Sequence, residues 1–172
     1  MNFINPEQLS IISEIAGILT DRKETVSVAE STSGGIVSSC LLSYPNASSY
    51  FVGGAVLYSY PIRTSLLTFD KAEHEAMGGC PTEIIKRLTG ALQEKTATTW
   101  GIGEGGAAGP TPSHNGHPPG FTAFAVMGPL ECVATMETGS NDRIANMATF
   151  ATGLLKLFLM TLRKHHRIKI WS

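Results

Sequence analysis

Residues 25–45 read "TVSVAESTSGGIVSSCLLSYP". The stretch alternates as a short strand over 25–29. It then passes through an acid, three small hydroxyl residues and a glycine pair, and ends at Pro45. The pattern predicts a helix over 31–45, closed by the proline. A strand leading at once into a helix is the repeating unit of an α/β fold. Such a turn also exposes the first helical N–H groups, which favour an anion or a developing oxyanion. Glu30, Ser31, Thr32, Ser33 and Gly34 stand in it. Three readings are open: a hydroxyl caps the helix, the turn cradles an anion, or a serine acts as nucleophile.

The flanking segments extend the alternation. Residues 6–24 carry Leu9, Ile12, Ile15, Ala16 and Leu19 at helical spacing, with Pro6 in the first turn. "YFVGGAVLYSY" at 50–60 predicts a strand, followed by short helices at 62–67 and 71–77. Residues 81–97 form an amphipathic helix that starts with Pro81 and Glu83. Strands are expected at 98–106, 121–128 and 131–138, the last two as a pair across "GPL", and a long helix over 141–165 closes the chain. The expected fold is therefore α/β: a single domain with a mixed β-sheet sandwiched by helices.

Composition narrows the function classes. The chain has 172 residues, of which 42% are apolar and 16% charged, with a net charge of −1. No basic face suits nucleic acid. The one basic cluster, "RKHHRIK" at 163–169, suits a helix C-terminus and a solvated tail. No run of about 18 unbroken apolar residues suggests a membrane span. The N-terminus does not resemble a secretion signal, so a cytoplasmic location is expected. Cys40, Cys80 and Cys132 are too far apart for a metal motif and read as small buried hydrophobes. "HNGH" at 114–117 has no carboxylate or cysteine nearby to complete a metal site, so no metal is expected.

Two loops could carry chemistry. "GIGEGG" at 101–106 satisfies the spacing of a dinucleotide fingerprint, but it runs on into "AAGPTPSHNGHPPG", which cannot be the helix that fingerprint needs. A glycine-rich turn able to approach a ligand remains. A serine nucleophile at the first turn needs a base, and lysine is the usual substitute where histidine is absent. Glu104, His114 and His117 are further candidates for that base, whereas Glu30 should point the other way along its strand.

Taken in order, five segments resemble one family, the C-terminal domain of the competence/damage-inducible protein CinA, also found alone as nicotinamide mononucleotide deamidase. They are "AESTSGG" (29–35), "GGAVLYSYPIR" (53–63), "GGAAGP" (105–110), "PPGFTAFAV" (118–126) and "GSNDR" (139–143). The likeness runs over residues 9–162. It implies hydrolysis of the nicotinamide amide of the mononucleotide, without a cofactor, and a nucleotide-like small molecule as partner. Ser31 falls on the family's nucleophile and Tyr58 on a substrate-site tyrosine. Glu30, Thr32 and Gly34 share the nucleophile turn. Gly106, Ala108 and Gly109 fall on the loop that approaches the substrate. Arg143 falls on a late arginine suited to phosphate. Family members commonly self-associate, and the apolar faces of the last helix suit either deep burial or a homo-oligomer interface.

Two positions depart from the family pattern. Its lysine is Arg63, which stays protonated and cannot take a proton from Ser31. Its threonine is Gly105, which removes a hydroxyl. The first expectation is an amidohydrolase of a pyridine-type amide in which Ser31 attacks while Tyr58 and Arg63 position substrate. The alternative is a silent or repurposed member that binds an anionic nucleotide through Arg63 and Arg143.

Overall fold

Five strands form one mixed sheet: β1 (Val26–Glu30), β2 (Phe51–Val56), β3 (Trp100–Ala107), β4 (Phe121–Met127) and β5 (Cys132–Glu137). Their order is β2-β1-β3-β4-β5 in the computed structural model, which describes residues 4–77, 79 and 81–171. β1 pairs in parallel with both β2 and β3, and β3-β4 and β4-β5 are antiparallel, as the expected pair across "GPL" requires.

Helices cover both faces. On one face lie α1 (Pro6–Arg22), α2 (Ile36–Leu42) and α6 (Arg143–Trp171). Their side chains Ile12, Ile15, Leu19, Leu41, Phe150, Leu154 and Phe158 bury Val26, Val28, Trp100, Ile102 and Phe124 of the sheet. On the other lie α3 (Tyr60–Leu67), α4 (Lys71–Ala76) and α5 (Pro81–Thr96). There Leu67, Ile84, Leu88 and Leu92 close over Ala29, and Ile85 over Ala123 and Ala125. The alternation of strand side chains separates the layers: Val28 faces one set of helices and Ala29 the other.

α1 starts with a reciprocal cap: Gln8 N donates to Asn5 Oδ1 at 2.8 Å, and Asn5 N donates to Gln8 Oε1 at 3.0 Å. α6 is long and apolar enough to cross a membrane by composition, but Phe150, Ala151, Leu154, Leu155 and Phe158 are fully buried in the core. That is the pattern of a central core helix. Of the basic run at 163–169, the side chains from 166 onward lie outside the described residues, as does Cys80. Cys40 is buried and Cys132 only half-buried on the outer strand, so burial does not extend to every cysteine.

One boundary moves substantially. The helix expected from residue 31 begins at Ile36, and 31–35 form a turn of their own. Gly34 (φ 65°) and Gly35 (φ 101°) hold left-handed backbone that no helix continues through. The strand expected to reach residue 60 stops at Val56, and α3 begins at Tyr60 with Pro61 in its first turn.

Candidate active site

The loops after β1 and β3 leave the sheet side by side, and β1's own crossover leads to β2 on its other flank. Such a reversal of strand order opens a crevice beyond the strand ends, the preferred ligand position in α/β sheets. β1 pairs with β3 only as far as Ala29↔Gly103, so the residues of β3 that follow have no β1 partner. A pocket of about 400 Å³ lies there, lined by Ser31 from the first turn and by Gly105 and Gly106 from β3.

Strand alternation decides what faces the pocket. Ser31 points to the α5 side, where Ile84, Ile85 and Leu88 form the floor. Its backbone N–H donates to Glu104 Oε1 at 2.8 Å, while Ser31 Oγ makes no hydrogen bond to any described residue. Glu30 points to the opposite layer. Its carboxylate takes the N–H groups of Gly35 (2.9 Å), Val37 (3.0 Å) and Ser38 (2.8 Å), together with the hydroxyls of Ser33 and Ser38. The α2 cap is therefore neither a serine nor a threonine, as the hydroxyl-rich turn suggested, but a carboxylate from the preceding strand.

Glu104 fills the rest of the turn. It accepts Ser31 N and Ser33 N at 2.8 Å each and Thr32 Oγ1 at 2.6 Å, and Ser33 Oγ lies 2.7 Å from it. The anion cradle read from the sequence exists, but the protein's own Glu30 and Glu104 occupy it. Both are fully buried. Thr32 is thereby a support for the turn, and Gly34 packs toward Met147 of α6.

Tyr58, Tyr60 and Arg63 form the wall from α3 and the segment before it. Arg63 Nε donates to Leu57 O at 2.8 Å and Nη2 to Tyr58 O at 3.4 Å. Burial lowers its pKa from the usual guanidinium value, and the group remains a cation at any physiological pH. The 107–120 loop, read as structureless, supplies the opposite wall. Ser113 N donates to His117 O and Gly116 N to Ser113 O, both at 2.9 Å, so the loop closes on itself. His114, Asn115 and His117 reach the pocket, and the His117 ring stacks on Phe121 at 4.5 Å.

Sequence reasoning missed Tyr60, His74 and Phe121. His74 lies edge-on to Tyr60 and Phe69, and its Nδ1 is buried without a hydrogen-bond partner among the described residues. Nothing in the spacing of α4 sets His74 apart. The alternation of an aromatic just inside β4 could have suggested Phe121.

Other candidates lie outside the pocket. Arg143 Nη1 donates to Gly109 O at 2.9 Å, and Asn146 Nδ2 donates to Ala108 O at 2.9 Å. Arg143, Ala108 and Gly109 thus tie the end of β3 to the start of α6. Among the described residues no three His, Cys, Asp or Glu side chains gather as metal ligands would.

Comparison with known proteins gives a consistent answer. A family model described as the CinA C-terminal domain matches residues 8–162. A CinA-like protein of Synechococcus elongatus is 30% identical over 134 residues, covering 78% of this chain and 32% of that protein. A CinA-like protein of Desulforapulum autotrophicum is 30% identical over 154 residues, covering 88% and 36%. The chain spans about a third of the length of these relatives. The crystal structure of a competence or damage-inducible protein from Enterobacter asburiae superimposes with a TM-score of 0.84 at 21% identity, covering 92% of this chain and 99% of that one. A competence/damage inducible protein from Agrobacterium tumefaciens gives 0.86 at 18% identity, covering 95% and 99%. At these identities the two structures share the fold.

Proposed function

The chain belongs to the CinA C-terminal domain family, and from that premise we propose that it is an amidohydrolase acting on the carboxamide of nicotinamide mononucleotide or a related pyridine amide. One observation carries this reading: the free Ser31 hydroxyl opens onto a pocket of about 400 Å³ whose lining includes Tyr58, Tyr60, Phe121 and Arg63 and, among the described residues, no carboxylate. Aromatic walls suit a flat ring, and a cation without competing acids suits an anionic substituent.

Ser31 Oγ attacks the amide carbon, its proton passing to a base. The tetrahedral intermediate then expels ammonia, taking that proton back, and water hydrolyses the acyl-enzyme to the acid. Ser31 N–H is committed to Glu104, so the oxyanion falls to the backbone at Gly105–Gly106. Arg63 positions substrate, and the base falls to a histidine of the wall, since histidine is the side chain that exchanges protons near neutrality. Arg143 would hold phosphate only if α6 released Gly109. The substrate is the partner in this reading, no cofactor takes part, and copies of the chain self-associate.

Ammonia release from nicotinamide mononucleotide tests the reading. Ser31→Ala should remove it, and turnover equal to wild type in that variant would falsify the serine mechanism.

A second reading has its own observation. Among the described residues no lysine lines the pocket, and Arg63 is engaged by two backbone carbonyls. The protein would then bind an anionic nucleotide without hydrolysing it. Arg63→Lys with Gly105→Thr separates the two readings: ammonia release gained from a silent parent supports binding alone, and release by the parent excludes it. A Cβ at Gly105 would meet Ile85 and Ser31 at 3.5 Å, an ordinary van der Waals contact, so a side chain can start there without moving the backbone.

A further inference from the structure

Beneath Ser31, two carboxyls and three hydroxyls form one buried chain. Thr32 Oγ1 lies 2.6 Å from Glu104 Oε2, and Ser33 Oγ lies 2.7 Å from Glu104 Oε1 and 2.8 Å from Glu30 Oε2. Ser38 Oγ lies against Glu30 Oε1. Each of these oxygen–oxygen contacts is short enough to need a proton between its atoms. There are four contacts and three hydroxyl protons. The fourth proton has to sit on a carboxyl.

The backbone decides which one. Glu30 faces three N–H groups, those of Gly35, Val37 and Ser38, which cannot turn round to accept. Glu104 faces two, those of Ser31 and Ser33. Charge settles on the carboxyl with more fixed donors. With the extra proton on Glu104 Oε1, donation runs Glu104 to Ser33 to Glu30, and each of the four oxygen–oxygen contacts holds a proton, while Ser31 N and Ser33 N reach the same Oε1.

We propose that Glu104 is a positioning residue for Ser31, a neutral carboxylic acid that pins the backbone of the 31–33 turn while Glu30 carries the charge. The neutral peg leaves no second negative charge beneath Ser31, where negative charge develops as its hydroxyl attacks.

Neighbouring groups agree. Burial pushes the Glu104 carboxyl up from the usual carboxylate range, against the lowering by its donors Thr32, Ser33 and Ser31. On β1 the facing group is Glu30. On α2 it is Cys40, whose thiol is pushed up to about 11 by burial and then by the Glu30 charge. β4 brings no titratable side chain, and Arg143 at the start of α6 donates to Gly109 O instead.

The protonation of Glu104 stands on this packing alone, while its bearing on catalysis rests on the reading of Ser31 as nucleophile. Infrared difference spectroscopy on the whole chain near neutral pH tests the first. A protonated-carboxyl carbonyl band should appear in wild type and Ser31→Ala and vanish in Glu104→Gln. A missing band in wild type, or one that survives Glu104→Gln, overturns the assignment.

Stability gives a second readout. A carboxyl that titrates higher in the folded than the unfolded state stabilises below its unfolded value, and that stability is lost as pH rises through the folded value. Glu104→Gln should therefore gain Tm on wild type as pH rises above the ordinary carboxylate value of about 4; a gap that does not widen counts against the proposal. Where ammonia release is measurable, kcat should fall on the alkaline side in wild type and not in Glu104→Gln, with KM unchanged. Parallel profiles remove the catalytic role. An inactive wild type with the infrared band present would sink the enzymatic reading and leave the protonation intact.

Discussion

Ser31 and Glu104 are 73 positions apart in the chain, yet the backbone of one is fastened to the side chain of the other at 2.8 Å. The candidate nucleophile is held from β3, the neighbouring strand, as firmly as from its own. This splits the turn into a framework and a working surface, and the two should respond differently to substitution.

Glu30 belongs to the framework. Glu30→Ala would leave three N–H groups of the α2 start without an acceptor, that of Val37 fully buried and those of Gly35 and Ser38 partly so. Removing one partner of such a network should cost about 3–5 kcal/mol. Chemical denaturation reads this directly, and a loss below about 1 kcal/mol would contradict the buried geometry.

The two glycines at the end of β3 should diverge. A Cβ at Gly106 would lie 2.1 Å from Phe121 O and 2.6 Å from Thr122 Cα, so Gly106→Ala has to displace the β4 backbone. It should cost about 1–3 kcal/mol or more. Gly105→Ala meets only side-chain atoms at 3.5 Å or beyond, so its stability should stay within about 0.5 kcal/mol of wild type. Paired thermal melts of the two variants settle the contrast.

A histidine base would show as a loss of turnover on its removal. Replacing the base should lower kcat by about 10²–10⁴. Single alanine variants of His74, His114 and His117, assayed for ammonia from nicotinamide mononucleotide, identify which one acts. Equal rates in all three would remove histidine from the mechanism.

The cysteines should differ in reactivity. The Cys40 thiol, pushed up to about 11, stays protonated at pH 8 and is buried as well. Alkylation of the folded protein should label Cys132 and leave Cys40 unmodified until denaturant is added. Peptide mass mapping distinguishes the two sites.

The layers and the sheet were legible because periodicity reports burial, and burial forms them. Val26 and Val28 alternate with Ser27 and Ala29 as a strand between two layers must, and α5 carries its apolar stripe openly. The start of α2 was not legible. Gly34 and Gly35 permit helix and turn alike, and the 31–33 turn before them is held by Glu104, on a strand distant in sequence. The same distance hid the state of the anion cradle: an isolated turn rich in N–H groups looks vacant until the carboxylates that fill it are placed. Ser31, Tyr58, Arg63, Gly105 and Gly106 line one pocket. Arg143 does not, because its guanidinium is taken by a backbone carbonyl that no local pattern announces.

Arg63 and Gly105, the two positions read from the sequence as departures from the family pattern, carry none of the turn's support. Arg63 leans on Leu57 and Tyr58, and Gly105 offers only a bare edge beside Ser31. Substitution can therefore rewrite what the pocket selects, or whether it reacts at all, without loosening the turn that presents the serine. Such an arrangement lets a lineage change its chemistry while its folding stays constant, because the residues that differ and the residues that bear the structure are on separate faces of the same sheet end.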